Sequence, residues 1–329
     1  MSKMFNFDLP KELIAQHPLK EREKAKLMIV YKERGEIKED IFENIGNYLD
    51  NNYVIVLNNT KVIPARIFAK KETGGELEIF LLKNLDDSKW QVLIKGKIKI
   101  NSRFYKDDLE GEIIEKTQDS YIVKFNKNKQ EIKKYGEVPL PPYIKRKPTE
   151  EDKIYYQTVY AQKEGSIAAP TAGLHFTENL IENLKNKGIE FYYITLHIGW
   201  PSIKILKEEK ENIGEEYLEI SEETAVKLND IKNKGKKIIA VGTSTTRALE
   251  TACENQKIRP YNGYTNLFIK PGYRFKFIDG LITNFHLPNS THLMLVCAFA
   301  GIEIIEKAYK IAIDKKYRFY SYGDSMLII

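Results

Sequence analysis

Between residues 66 and 126 the chain runs in short segments, RIFAKK, ELEIFLLK, KWQVLIKG, EGEIIEK and SYIVKFN, broken by Gly, Asp, Asn and Ser. Apolar and polar residues partly alternate in them, as they do where one face of a strand meets a core and the other meets water. Strands at this spacing predict a small antiparallel barrel or sandwich. The pattern ends at VPLPPYIKRKP, residues 138–148, where Pro139, Pro141 and Pro142 favour an extended, stiff connector.

From about residue 151 the period changes, and helices follow strands. TENLIENLKNKG has Thr177 to cap a helix, Glu178 in its first turn and Gly188 to end it before the β-rich IEFYYITLHIG. The unit recurs from Ser221 to Gly235, before the strand KKIIAVG. That strand enters TSTTRALETACE, a hydroxyl-rich turn opening another helix. Such alternation implies an α/β fold with a large, mainly parallel sheet. The apolar strand YVIVLNN assigns residues 1–64 to the same unit, so a discontinuous α/β domain, 1–64 and 147–329, is expected to carry an inserted β-barrel domain, 65–146.

At 329 residues the chain exceeds the ~250–300 at which single cores stop growing, which suits two domains. Its 42% hydrophobic and 30% charged residues fit a globular protein. Lys and Arg exceed Asp and Glu by 52 to 46, a net +6 that is compatible with a nucleic-acid partner without requiring one. Cys253 and Cys297 lack ligand or framework spacing, so two buried thiols in a reducing cytoplasm are expected. No secretory signal is expected. The run LMLVCAFAGI, about half a bilayer span, reads as a buried helix rather than a membrane segment.

Ligands of open α/β sheets bind outside the carboxyl ends of the strands. HIGWPS, GTSTTR and TNFHLPNST all fall at such ends, and GTSTTR opens a helix whose free N–H groups suit an anion or polar ligand. Three of the five histidines, His175, His197 and His286, lie beside Gly, Pro or Asn at strand or loop ends. His17 and His292 read as incidental. There is no HExxH or other metal-ligand spacing, no phosphate loop, no GxGxxG and no GxSxG.

The blocks LPKELIAQHP, VLNNTKVIPAR, LPPYIKR, YQTVYAQKEGSIAAPTAGLHFT, TLHIG, AVGTSTTRALE, TNFHLPNSTHLMLV and YRFYSYGDSMLI, in that order, resemble the S-adenosylmethionine:tRNA ribosyltransferase-isomerase family of queuosine biosynthesis. The resemblance runs almost end to end. It implies a large α/β domain with a smaller β-barrel. It also implies transfer of the ribosyl part of S-adenosylmethionine to 7-aminomethyl-7-deazaguanine at the tRNA wobble position. Isomerisation then gives epoxyqueuosine, with release of adenine and methionine. S-adenosylmethionine is a co-substrate, and neither a cofactor nor a metal is implied.

On this resemblance His175 and His286 are the candidates for proton transfer, since groups titrating near neutrality suit the reaction. Thr171, Gly173, His197, Gly242, Thr243 and Asn284 are expected to line the ligand cleft. Arg66 and Arg247 would meet phosphate or carboxylate, and Asp324 would face the sulfonium or a ribose hydroxyl. Lys133, Lys134, Lys145, Arg146 and Lys147 flank the end of the barrel and are expected to hold the tRNA backbone. A monomer in the cytoplasm, away from membranes, is expected. One departure stands out: where the family has a Gly-Thr-Phe element followed by two histidines, this chain has Trp200, Pro201 and Ser202 and neither histidine. Two rivals are a tRNA methyltransferase, which would show a Gly-rich loop where VIVLNNTKV has none, and a non-catalytic RNA-binding module, which has no need of tight histidine loops.

Overall fold

The computed structural model describes residues 7–199 and 214–329; Trp200, Pro201 and Ser202 lie outside the described residues. A nine-stranded sheet has the order Tyr261–Thr265, Glu216–Ile220, Glu190–Leu196, Tyr53–Asn58, Lys237–Val241, Gly280–Asn284, Ser325–Ile328, Lys26–Tyr31, Glu36–Ile41. From Glu190–Leu196 to Gly280–Asn284 neighbouring strands are parallel. Antiparallel pairings dominate toward the edges.

The middle strands are buried on both faces, so they are continuously apolar rather than alternating. Val54, Val56, Ile238, Ala240 and Leu281 enter one core cluster, with Leu228, Ala248, Leu249 and Val296 of the helices on that side. Ile55, Leu57, Ile239, Val241 and Ile282 enter another, with Leu180, Ile181 and Leu184 of helix Glu178–Asn186. Each such Val, Leu or Ile side chain contributes roughly 1.5–3 kcal/mol on burial. Helix starts follow the expected capping: the Thr177 hydroxyl accepts from Leu180 N at 3.2 Å and Ser221 from Thr224 N at 3.2 Å. Gly188 and Gly235 stand just beyond the ends with φ of +85° and +77°. The apolar run forms helix Thr291–Ala300, ended by Gly301, and a second helix, Ile302–Asp314, follows.

The strands of a closed antiparallel barrel all come from residues 66–125, in the order Tyr121–Phe125, Lys89–Lys95, Glu76–Asn84, Arg66–Lys71, Arg103–Lys106, Leu109–Lys116. Arg103–Lys106 is the strand that the alternation does not announce. The barrel's interior residues, including Ile67, Ile79, Trp90 and Val123, continue one of the sheet's core clusters. The proline connector runs back over the sheet, where Leu140 and Ile144 pack with Ala169, Leu174 and Tyr322.

Candidate active site

The parallel strands end along one edge, and a cleft of about 1000 Å³, including its open mouth, lies there. Ile198 just beyond Glu190–Leu196, Gly242 just beyond Lys237–Val241 and the pair Thr283–Asn284 at the end of Gly280–Asn284 come from three of these strands. Ala168–Ala172 crosses from one side, and Pro141, Tyr143, Tyr320 and Ser321 close another. At Gly242 the chain passes from strand directly into helix Gly242–Ala252 with φ of +88°, a conformation that disfavours any side chain. Gly242, Thr243 and Ser244 therefore present the helix's first turn to the cleft.

His286 lies on the wall. Its Nε2 is 2.9 Å from the Thr283 hydroxyl, and its backbone N–H donates to the Tyr309 hydroxyl at 2.8 Å. His292 also lines the cleft and is not incidental: its ring stacks on His286 with centroids 5.2 Å apart and planes at 23°. The first turn of a capped helix carries it there, with Ser290 capping Leu293 N at 3.2 Å. Burial, then the neighbouring imidazole, holds His286 well below its ordinary value. Burial and the Arg247 charge, opposed by Glu216, bring His292 to about 4. Both rings are neutral proton acceptors near neutral pH.

Arg247 reaches the cleft from the helix that Gly242 begins. Its Nε donates to Leu267 O at 2.9 Å, and Nη1 pairs with the buried Glu216, which also accepts from Gly199 N at 2.9 Å. Nη2 is buried and has no hydrogen-bond partner among the described residues. Guanidinium and helix start together suit a carboxylate. Thr171 and Asn284 line the cleft as well.

Other expected positions lie elsewhere. His175 is 5% exposed and stands behind the main cleft, against Phe42, beside a smaller cavity; its Nε2 meets Asn284 Nδ2 at 3.2 Å. Gly173 faces Tyr160, whose hydroxyl a Cβ would strike, so its smallness serves packing rather than ligand approach. His197 stacks on Tyr217 and shares a 2.7 Å hydrogen bond with Thr60, outside the cleft wall. Arg66 sits on a barrel strand, paired with Glu78 at 2.5 Å between the rings of Phe68 and Phe80. Asp324 is buried, and its two oxygens accept from Lys26 N at 2.9 Å and Arg318 N at 2.7 Å, bracing the C-terminal turn.

The basic group divides likewise. Arg146 grips Asp152 through both terminal nitrogens, at 2.6 and 2.7 Å, and donates to Gln16 O at 2.9 Å. Lys133 pairs with Glu164 at 2.8 Å. Lys134, Lys145 and Lys147 are exposed. Among the described residues no cluster of three or more His, Cys, Asp or Glu is arranged to hold a metal, and no helix is long and apolar enough to cross a membrane.

A sequence profile for the family described as "Queuosine biosynthesis protein" matches residues 2–328. A protein of Thermoanaerobacter sp. (strain X514) called S-adenosylmethionine:tRNA ribosyltransferase-isomerase is 49% identical over 338 residues, spanning 99% of this chain and 98% of its own length. A protein of the same name from Aquifex aeolicus (strain VF5) is 44% identical, again over 99% and 98%. The crystal structure of S-adenosylmethionine tRNA ribosyltransferase from Thermotoga maritima aligns over 99% of this chain and 100% of its own, at 36% identity and a TM-score of 0.60. The chain belongs to the queuosine biosynthesis protein family.

Proposed function

We propose that this protein transfers the ribosyl moiety of S-adenosylmethionine to 7-aminomethyl-7-deazaguanine at the tRNA wobble position and isomerises it, giving epoxyqueuosine-tRNA, adenine and methionine. The observation that carries this reading is the end-to-end identity with relatives bearing that enzyme's name. The cleft adds chemical support. A base must take the proton beside the sulfonium, after which adenine leaves with the glycosidic electron pair and is protonated. The substrate amine loses its proton as its nitrogen bonds to the sugar, and methionine departs with the sulfur–carbon electron pair.

His286 is the leading candidate for proton transfer, because it is neutral, faces the cleft and is oriented by Thr283. Arg247 and the first turn of its helix suit the methionine carboxylate, and the small residues Ala168, Ala169 and Ala172 give room for the nucleoside. Lys134, Lys145 and Lys147 are the exposed cations of the barrel-end group, available to tRNA phosphates. S-adenosylmethionine is consumed as co-substrate, and a cytoplasmic location accords with a tRNA substrate. Incubation with S-adenosylmethionine and tRNA bearing the aminomethyl base should release adenine and methionine in equal amounts. Formation of S-adenosylhomocysteine would instead establish the methyl-transfer alternative.

A further inference from the structure

The carboxamide of Asn284 is 2% exposed and lines the cleft. Its nitrogen is fully committed, one hydrogen to His175 Nε2 at 3.2 Å and the other to Tyr320 O at 3.1 Å. A carbonyl can only accept, so Tyr320 fixes which end of the amide is nitrogen. Tyr320 holds that carbonyl in place from a backbone φ of +75°, a strained conformation for a bulky residue and one that clusters at functional sites. What remains is Oδ1, a buried acceptor with no hydrogen-bond partner among the described residues. Leaving such an atom unpaired is costly, unless a ligand completes it.

His175 explains the arrangement. It accepts from Asn284 through Nε2, so a neutral ring carries its proton on Nδ1. Burial, reinforced by the nearby Arg318 charge, lowers His175 to about 4, which keeps Nε2 an acceptor throughout the neutral range. The ring does not line the main cleft.

We propose that Asn284 Oδ1 accepts a hydrogen bond from a substrate N–H, and that His175 is a positioning residue that aims it rather than a group that exchanges protons with substrate. The donor is either the adenine amino group or the incoming aminomethyl nitrogen, both of which present N–H to an acceptor. This rests on the proposed function, but its failure is separately visible.

The test measures S-adenosylmethionine affinity by calorimetry and adenine release with aminomethyl-bearing tRNA, for wild type, Asn284→Leu, His175→Phe and His175→Gln, each with its thermal midpoint. A glutamine amide oxygen reaches near the place of Nε2 and can accept from Asn284, but it cannot shuttle a proton. Asn284→Leu and His175→Phe should each lose at least about tenfold in turnover, and His175→Gln should recover most of the loss seen in His175→Phe. Weaker S-adenosylmethionine binding in Asn284→Leu identifies adenine as the donor. Unchanged binding with slower turnover identifies the tRNA amine. A folded His175→Gln as inactive as His175→Phe, or a folded Asn284→Leu with wild-type affinity and turnover, overturns the inference. If wild type itself releases no adenine, the proposed function has failed, and the inference with it.

Discussion

At His286 two requirements meet: the ring must be reachable from the cleft, and it must be uncharged to take up a proton. Thr283 satisfies its Nε2, and the His292 ring beside it makes simultaneous protonation of both unfavourable. His286→Ala should therefore lose about 100-fold or more in turnover with little change in thermal midpoint. His292→Leu should lose on the order of tenfold, as expected for removing one contact to the reacting site. A fully active His286→Ala would move the proton-transfer role elsewhere. Acid stability reports on the same burial. His175 titrates at about 4 in the folded chain against an ordinary 6.5, so from pH 6.5 down to 4 the unfolded chain takes up a proton that the folded one refuses. Stability is lost across that window, by up to about 3 kcal/mol from this residue. The thermal midpoint should fall more steeply there for wild type than for His175→Gln; parallel curves would show that His175 is not the cause.

At the scale of elements, the features legible in the sequence are those set by local chemistry. Thr177 and Ser221 cap helices, and Gly188 and Gly235 end them, because caps and left-handed positions depend on a few adjacent residues. The strand Arg103–Lys106 escapes notice because four residues are too few to show alternation. Long-range pairing is the other blind spot. Thr149 and Asp152 stand close to Arg146 in the chain, but nothing there announces that the distant Tyr322 joins them in one network, and that network governs the role of Arg146. Burial raises the Asp152 carboxyl, and the bonds from Arg146, Thr149 and Tyr322 outweigh it, bringing the group down to about 2. Arg146→Gln should thus cost about 1–3 kcal/mol of stability by removing the countercharge while Thr149 and Tyr322 still bond the carboxylate. The triple change Lys134→Gln, Lys145→Gln and Lys147→Gln should leave the thermal midpoint unchanged and flatten the salt dependence of tRNA affinity, by about 0.7–0.9 in log–log slope per lost contact. An unchanged slope would place the tRNA on another surface.

Across the whole molecule, the sheet positions the site and the proline connector completes it. Parallel strands bring Ile198, Gly242 and Asn284 to one edge, and the proline connector leaving the barrel returns Tyr143 to the same cleft. That convergence explains why the motif blocks, distant in the chain, share a ligand space. It also explains why motif membership alone could not sort them: His197, Arg66 and Asp324 belong to the same blocks but lie outside the cleft wall, where His197 bonds Thr60, Arg66 pairs with Glu78 and Asp324 accepts from the backbone of Lys26 and Arg318. The claim that unites these observations is that the sugar of S-adenosylmethionine, and not its methyl group, ends on the tRNA. The most direct measurement uses S-adenosylmethionine labelled with ¹³C in the ribose alone, followed by mass spectrometry of the modified nucleoside and the released small molecules. Ribosyl transfer puts every labelled carbon in the nucleoside and none in adenine or methionine. Label retained in S-adenosylhomocysteine, with the tRNA gaining only a methyl group, would contradict it.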